Sequence, residues 1–181
     1  MDELLKQLHV EHGEIAEVLA VIEDELERLA AGEPPDFDVL RDAVYYMTEF
    51  PDLFHHTKED LLYRRMAKRR RRVRDAVHEL EHQHRSLRSE GMGFRETVED
   101  AAEDAMVERN AIVEQGRAYV AMQRDHMRTE EAHILPLAEE VLSEEDWQDL
   151  RKMLPGDGPR GLRGITRERF RSLYAQLERT R

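Results

Sequence analysis

The sequence contains no cysteine, few aromatic residues and no long apolar run, and each absence excludes a class of protein. Without cysteine the chain can form neither disulfides nor thiolate metal sites, so any bound metal must take nitrogen and oxygen ligands. Aromatic residues make up only 6% of the chain, and the abundance of Ala, Leu, Glu and Arg is typical of amphipathic helices rather than of a β-sandwich. No stretch approaches the ~20 apolar residues of a membrane-spanning helix, and the acidic start lacks the pattern of a signal peptide. These features predict a cytoplasmic protein that has no contact with a membrane.

The charge of the chain is predominantly negative, with a formal net charge of -12. This balance argues against a general nucleic-acid binder, so we expect no nucleic-acid partner. One segment differs, because the residues from Arg64 to Arg74 include eight basic side chains and no acid. The simplest interpretation is a solvated helix end and turn. The alternatives are a docking surface for an acidic partner, for nucleic acid, or for the acidic face of a second copy in a homodimer.

Apolar residues recur at alternating spacings of three and four along four long segments of the chain. A period of 3.5 residues is typical of helices that pack side by side as in coiled coils. The sequence therefore predicts an all-α fold, an up-down-up-down antiparallel four-helix bundle with a short C-terminal helical extension. The first predicted helix runs over about 2–31, and the second begins near 36 and ends between 66 and 72. The third follows a short turn and ends at about 105, and the fourth begins between 107 and 109 and ends at 142.

The end of the chain predicts two shorter helices. The run from Ser143 to Asp146 resembles a helix N-cap, and a second short helix is predicted over about 166–179. We expect the bundle to occupy residues 1–154, and a loop and C-terminal helix that pack on it to occupy 155–181.

Glycine and proline fall inside two of the predicted helices. The apolar stripe of the third helix passes Gly91 and Gly93 without losing phase, so we expect one continuous helix, weakened by ~1 kcal/mol per glycine. Pro51 lies inside the second helix. It removes the backbone hydrogen bond to Met47 and should kink the helix just before His55.

Polar residues interrupt the apolar stripes at a common height. They are His12, His55, Glu59, His84, His126, Glu130 and His133. A buried imidazole or carboxylate is costly unless it is paired or binds a metal. In an up-down bundle with a rise of 1.5 Å per residue, the interruptions of all four helices lie roughly 15–24 Å from the same end. Four imidazoles and two carboxylates in one layer suit two metal ions with bridging carboxylates, and such ligands suit iron, manganese or zinc.

Five runs of the sequence resemble the bacterial hemerythrin-like HHE cation-binding family. They are LHVEHGEI (8–15), FPDLFHHTKEDLLY (50–63), EHQHRSL (81–87), HMRTEEAHILPLA (126–138) and SEEDW (143–147). The resemblance implies an up-down four-helix bundle with a non-haem, carboxylate-bridged two-iron centre, in which Mn or Zn could substitute. It implies that the metal ligands are His12, His55, Glu59, His84, His126 and Glu130. It also implies binding or sensing of oxygen, iron or redox species, with a small ligand such as O2, peroxide or NO.

The sequence departs from the oxygen-carrying hemerythrins at one position. Those proteins add a second histidine one turn before the third-helix ligand, where this chain has Leu80. One metal should then have an open or water-filled position, which favours sensing, or peroxide or NO chemistry, over simple oxygen carriage. The histidines that could fill this position are His9, His56 and His133. Because His56 lies about 100° from His55 on a helix, we expect it to contact an adjacent helix instead.

Three other interpretations compete with a binding or sensing protein. The first is a di-iron oxidoreductase acting on peroxide, O2 or NO. Because an oxidase usually needs more carboxylate ligands than this chain offers, we do not expect an enzyme. A ferritin-like site would use Glu81-x-x-His84 and Glu130-x-x-His133, but Glu81 lies off the apolar stripe. The third is a metal-free bundle that docks through Arg64–Arg74. His78 and His82 also lie off the stripe and are predicted to be solvated.

Overall fold

Helices account for all the regular secondary structure of the residues that the computed structural model describes, which are 1–103, 105–154 and 170–180. No strand occurs among these residues. The helices are α1 (Glu3–Ala30), α2 (Phe37–Phe50), α3 (His56–Arg69), α4 (Arg74–Ala102), α5 (Arg109–Thr129), α6 (Leu135–Val141), α7 (Glu144–Met153) and α8 (Arg171–Thr180). The prediction of an all-α fold is therefore confirmed. None of the described helices is both long and apolar enough to cross a membrane.

Two π-helical turns connect helices that would otherwise be continuous. Pro51–His55 joins α2 to α3, and Glu130–Ile134 joins α5 to α6. In a π-turn a backbone N–H donates to the carbonyl group five residues earlier. Here the N–H of His56 donates to the carbonyl of Pro51. The register of the residues that follow is shifted relative to a regular α-helix. At Pro51, where the sequence predicts a kink, the structure therefore has a wider helical turn.

The long helices pack against one another through two apolar clusters. Helix α1 contacts α2 and α5, and α4 contacts α2, α3 and α5. The first cluster, which we call the lower core, includes Leu8, Leu62 and Trp147. The second, the upper core, includes Ile15 and Phe94. Because α1 carries Leu8 into the lower core and Ile15 into the upper core, its intervening residues cross a layer between the two clusters.

Helix α4 continues through both of its glycines, as the apolar spacing predicts. Neighbouring helices lie very close to Gly91 in α4 and to Gly116 in α5, so a side chain at either position would press against them. A Cβ atom on Gly116 would lie 2.7 Å from a Leu26 methyl group and 2.8 Å from the Phe94 ring. The missing side chain therefore allows α5 to approach α1 and α4 closely.

Part of the basic segment holds the short helix α7 in place. Ser143 is the N-cap of α7, where the sequence predicts one, and it forms a capping box with Asp146. The buried carboxylate of Asp146 also accepts hydrogen bonds from Arg69 Nε at 2.7 Å and Arg65 Nη1 at 3.2 Å. Burial opposes ionisation of this carboxyl, but Arg69 and Ser143 lower its pKa to about 2. Because Arg64 also pairs with Asp60 and Glu81, three of the eight basic side chains have an acidic partner within the chain.

The C-terminal helix α8 contacts α1 and α2. Phe170 is buried beside the rings of Tyr45 and Tyr46, and Leu173 is buried in the upper core. The predicted loop, and the predicted start of this helix near residue 166, lie outside the described residues.

Candidate metal centre

The six predicted ligands lie together in the layer between the two apolar cores. Four segments bring them there: His12 from α1, His55 and Glu59 from the first π-turn and α3, His84 from α4, and His126 and Glu130 from α5 and the second π-turn. The two carboxylates are fully buried, and none of the four imidazoles is more than 7% exposed. The structure thus brings all six side chains to one site.

One side of the site, which we call the first half-site, has the imidazoles of His12 and His55. His12 Nε2 lies 3.3 Å from Glu59 Oε1 and 3.4 Å from Glu130 Oε2. His55 Nε2 lies 3.2 Å from the same Glu59 Oε1 atom. One oxygen of each carboxylate therefore faces this pair of imidazoles.

The opposite side, the second half-site, has the imidazoles of His84 and His126, whose Nε2 atoms are 3.1 Å apart. His84 Nε2 lies 3.4 Å from Glu59 Oε2 and 3.7 Å from Glu130 Oε1. His126 Nε2 lies 3.2 Å from Glu130 Oε1. Each carboxylate therefore has one oxygen in each half-site, the arrangement in which a carboxylate can bridge two cations.

The Nδ1 atom of each imidazole is held by a polar side chain from a neighbouring helical segment. The pairs are Glu11 with His55 at 2.9 Å, Asp60 with His84 at 3.0 Å, Gln83 with His126 at 3.0 Å, and Glu131 with His12 at 2.7 Å. We call these four partners the outer ring. Because each accepts a hydrogen bond from Nδ1–H, Nε2 is left pointing into the site, where its lone pair can bind a metal once the ring is neutral.

Sequence reasoning missed the outer ring, although a signal was available. Each member is the immediate chain neighbour of a candidate ligand on its own helix, yet it binds an imidazole on the next one. Such positions lie at the edges of the apolar stripe, where a polar residue is normally interpreted as solvated.

Two further buried side chains were also missed. The ammonium group of Lys58 contacts Glu11, which in turn holds His55. The hydroxyl group of Tyr63 donates to Glu130 Oε1 at 2.6 Å. Burial, and then the nearby Glu130 charge, raises the pKa of Tyr63 well above its usual range, so it remains a neutral donor.

The electrostatics of the site call for added positive charge. Burial alone would lower the pKa of His12, but contacts with Glu130 and Glu59 raise it to about 11. Burial is likewise outweighed at His84, where Asp60 and the same two carboxylates raise the pKa to about 11. Burial would raise the pKa of Glu59, but His55 and His12 hold it well below its usual range. Two adjacent buried carboxylates thus require cations, which protonated imidazoles or metal ions can supply.

Several atoms that face the centre have no hydrogen-bond partner among the described residues. They are His12 Nε2, both carboxylate oxygens of Glu59 and Glu130 Oε2. Unpaired buried polar atoms are costly, and these converge on the same small space from different helices. Nitrogen and oxygen donors arranged in this way fit a pair of metal ions.

Histidines outside the six predicted ligands fall into two groups. His9, His78, His82 and His133 are exposed. His133 lies on the predicted stripe, but the π-turn at Glu130–Ile134 shifts the register, and Ile134 is buried instead. Glu81 pairs with Arg64 at 3.0 Å, so together with the exposure of His133 the structure argues against the ferritin-like alternative.

His56 is the exception, because it is buried beside the second half-site. It contacts the adjacent helix α4, as predicted, but does so by stacking on the candidate ligand His84, with ring centroids 4.1 Å apart. One of its ring nitrogens lies within 4.8 Å of the ligand atoms of Glu59, His84 and His126. Burial lowers its pKa to about 4 even though Nδ1 bonds to Asp52, so the ring is neutral.

A cleft of about 190 Å³ opens at the surface next to the second half-site. Its walls include His56 and His84, together with Arg64, Arg85 and Arg88. A molecule of a few atoms in this cleft would contact the outer edges of both imidazoles.

Comparison with known protein families gives a match. The family model described as the hemerythrin HHE cation binding domain matches residues 3–138, a range that includes all six predicted ligands. Among curated proteins, no sequence is similar enough to count as a match.

Proposed function

Since the chain belongs to the hemerythrin HHE cation-binding family, we propose that it holds two iron ions in a non-haem, carboxylate-bridged centre. His12 and His55 bind the first ion, His84 and His126 bind the second, and Glu59 and Glu130 bridge them. We also propose that α1, α2 with α3, α4, and α5 with α6 form the antiparallel four-helix bundle of this family. The division of both carboxylates between the two half-sites is the observation that supports the two-ion assignment.

The function that this centre supports best is binding or sensing of oxygen, iron or redox species. A bound iron pair supplies reversible electron transfer and a place for a small ligand such as O2, peroxide or NO. The outer ring orients the four imidazoles, and the two apolar cores enclose the layer on two sides. Manganese or zinc can substitute for iron, because the donors are the nitrogen and oxygen atoms that all three ions accept.

A second candidate function is a di-iron oxidoreductase acting on peroxide, O2 or NO. The observation that favours it is the hydrogen bond from Tyr63 to Glu130, which holds a neutral phenol hydroxyl group beside the centre. Such a donor can stabilise negative charge on a reacting oxygen, which turnover requires and simple metal storage does not.

Metal loading followed by spectroscopy tests the proposal. The protein is reconstituted anaerobically with Fe(II), its iron content is measured, and spectra are recorded before and after air, and then with azide. We expect about two irons per chain, one for each half-site, and near-ultraviolet bands that shift with azide. A stable oxygenated spectrum supports binding or sensing, and sustained consumption of peroxide supports the oxidoreductase. Unchanged helicity without iron uptake would refute both.

A further inference from the structure

We propose that His56 is a third imidazole ligand of the metal in the second half-site. The two metals then differ, with three histidines on the second and two on the first. This inference rests on the proposed function, because it assigns a further ligand within the same centre.

Two consecutive histidines face the site where the π-turn joins α3. Neighbouring residues of a helix point about 100° apart, so His55 and His56 reach different parts of the layer. The wider turn Pro51–His55 ends directly before His56, and the two side chains are only 1% and 5% exposed. His55 reaches the first half-site, and His56 reaches the second.

His56 shares the local environment of the four imidazoles already assigned. Its Nδ1 atom is held by the Asp52 carboxylate at 3.2 Å, and the other oxygen of Asp52 is held by Arg88 at 3.0 Å. Because Asp52 engages Nδ1, Nε2 is the nitrogen left to coordinate. Fixing one ring nitrogen by a carboxylate and leaving the other for the metal is typical of histidine ligands.

The alternative is that His56 only packs against His84. Packing alone would be served by an apolar side chain, and it does not require a carboxylate at Nδ1 or a ring nitrogen within 4.8 Å of three ligand atoms. Leu80, one turn before His84, is 1% exposed in the lower core. It offers no ligand, so an additional imidazole for this metal has to come from another helix.

The assignment has a consequence for the first half-site. Its metal has two imidazoles and one oxygen from each carboxylate, so it is the metal with fewer protein ligands. We expect the second metal to bind more tightly, and an added ligand such as azide to bind at the first.

Imidazole resonances of the Co(II)-substituted wild-type protein provide the first test. A coordinated imidazole whose Nδ1–H is hydrogen-bonded gives one strongly shifted proton signal that disappears in D2O. We expect five such signals, for His12, His55, His56, His84 and His126. His82→Ala should keep all five. Two bound Co(II) ions with only four signals would overturn the inference and leave the proposed function intact, whereas no Co(II) binding would overturn both.

Metal titration of His56→Ala provides the second test. Since even a residue that merely supports a ligand contributes about 10- to 100-fold to metal affinity, we expect one of the two metals to bind at least about 10-fold more weakly. The affinity of the other should not change, and added imidazole should restore the weakened site. Asp52→Asn should weaken the same metal less. Wild-type affinity for both metals in His56→Ala would refute the role of His56. If the variant does not fold, the number of imidazole signals in the wild-type protein decides whether His56 is a ligand.

Discussion

Removing the Glu59 carboxylate should weaken both metals, whereas removing a single imidazole should weaken one. Glu59 Oε1 is 3.3 Å from His12 Nε2 in the first half-site, and Oε2 is 3.4 Å from His84 Nε2 in the second. Glu59→Ala therefore takes one oxygen from each metal. His84→Ala takes one nitrogen from the second metal only. His82→Ala is the matched control, because that side chain is exposed on the same helix.

The expected size of the effect follows from metal-site chemistry. A lost ligand should cost at least as much as a lost supporting residue, which is about 10- to 100-fold in affinity, or about 1.4 to 2.8 kcal/mol per metal. If free metal is kept at ten times the wild-type dissociation constant, a 100-fold loss lowers occupancy from about 90% to about 10%. Glu59→Ala should show this loss at both half-sites, and His84→Ala at one.

Equilibrium dialysis against buffered metal, followed by elemental analysis, measures these occupancies. Circular dichroism of each metal-free variant separates lost ligation from lost folding. Full occupancy in Glu59→Ala would refute the bridging assignment. Metal loss in His82→Ala as large as in His84→Ala would show that the layer is not the binding site.

Two other predictions concern the metal-free protein. The pKa values of His12 and His84 are raised from 6.5 to about 11 in the folded chain, so their stabilising effect is complete below pH 6.5 and is lost as the pH rises towards 11. Metal binding requires neutral imidazoles, so stabilisation by Zn(II) should instead grow with pH. Thermal unfolding with and without Zn(II) tests this, and a metal-free Tm that increases above pH 6.5 would contradict it. Gly116→Ala should destabilise by about 1–3 kcal/mol, since its Cβ would lie 2.7 Å from Leu26. Gly13→Ala is the control, because a Cβ there meets no atom within 4 Å and should stabilise α1 by about 0.5–1 kcal/mol. Denaturant unfolding measures both, and changes of the same sign would refute the packing argument.

The apolar periodicity was sufficient to predict the helices and the position of the polar layer. A stripe with period 3.5 fixes which side chains face the interior, so His12 and His84 could be placed without knowledge of the tertiary structure. The same pattern carried α4 correctly through Gly91 and Gly93. These predictions succeeded because each depends on residues within one helix.

The parts that could not be predicted depend on contacts between helices. A π-turn shifts the register of the residues that follow, and the apolar pattern around Glu130 did not reveal one. The prediction that His133 continues the stripe therefore differs from the structure, in which Ile134 is buried. The outer ring was missed for a related reason. Asp60 and Glu131 meet their imidazoles only across a helix interface, and a single helix does not define that interface.

The outer ring has a consequence for the order in which the protein assembles. Its hydrogen bonds run from α1 to His55, from α3 to His84, from α4 to His126, and from the second π-turn back to His12. Each helical segment thus carries one imidazole and restrains another on its neighbour. A folding intermediate that lacks any one segment has at least one ligand missing and another imidazole free to rotate. Tight metal uptake should therefore come after the last helix has docked, and metal should leave only through openings that separate helices. The rate of metal exchange then becomes a measure of how often the native protein opens.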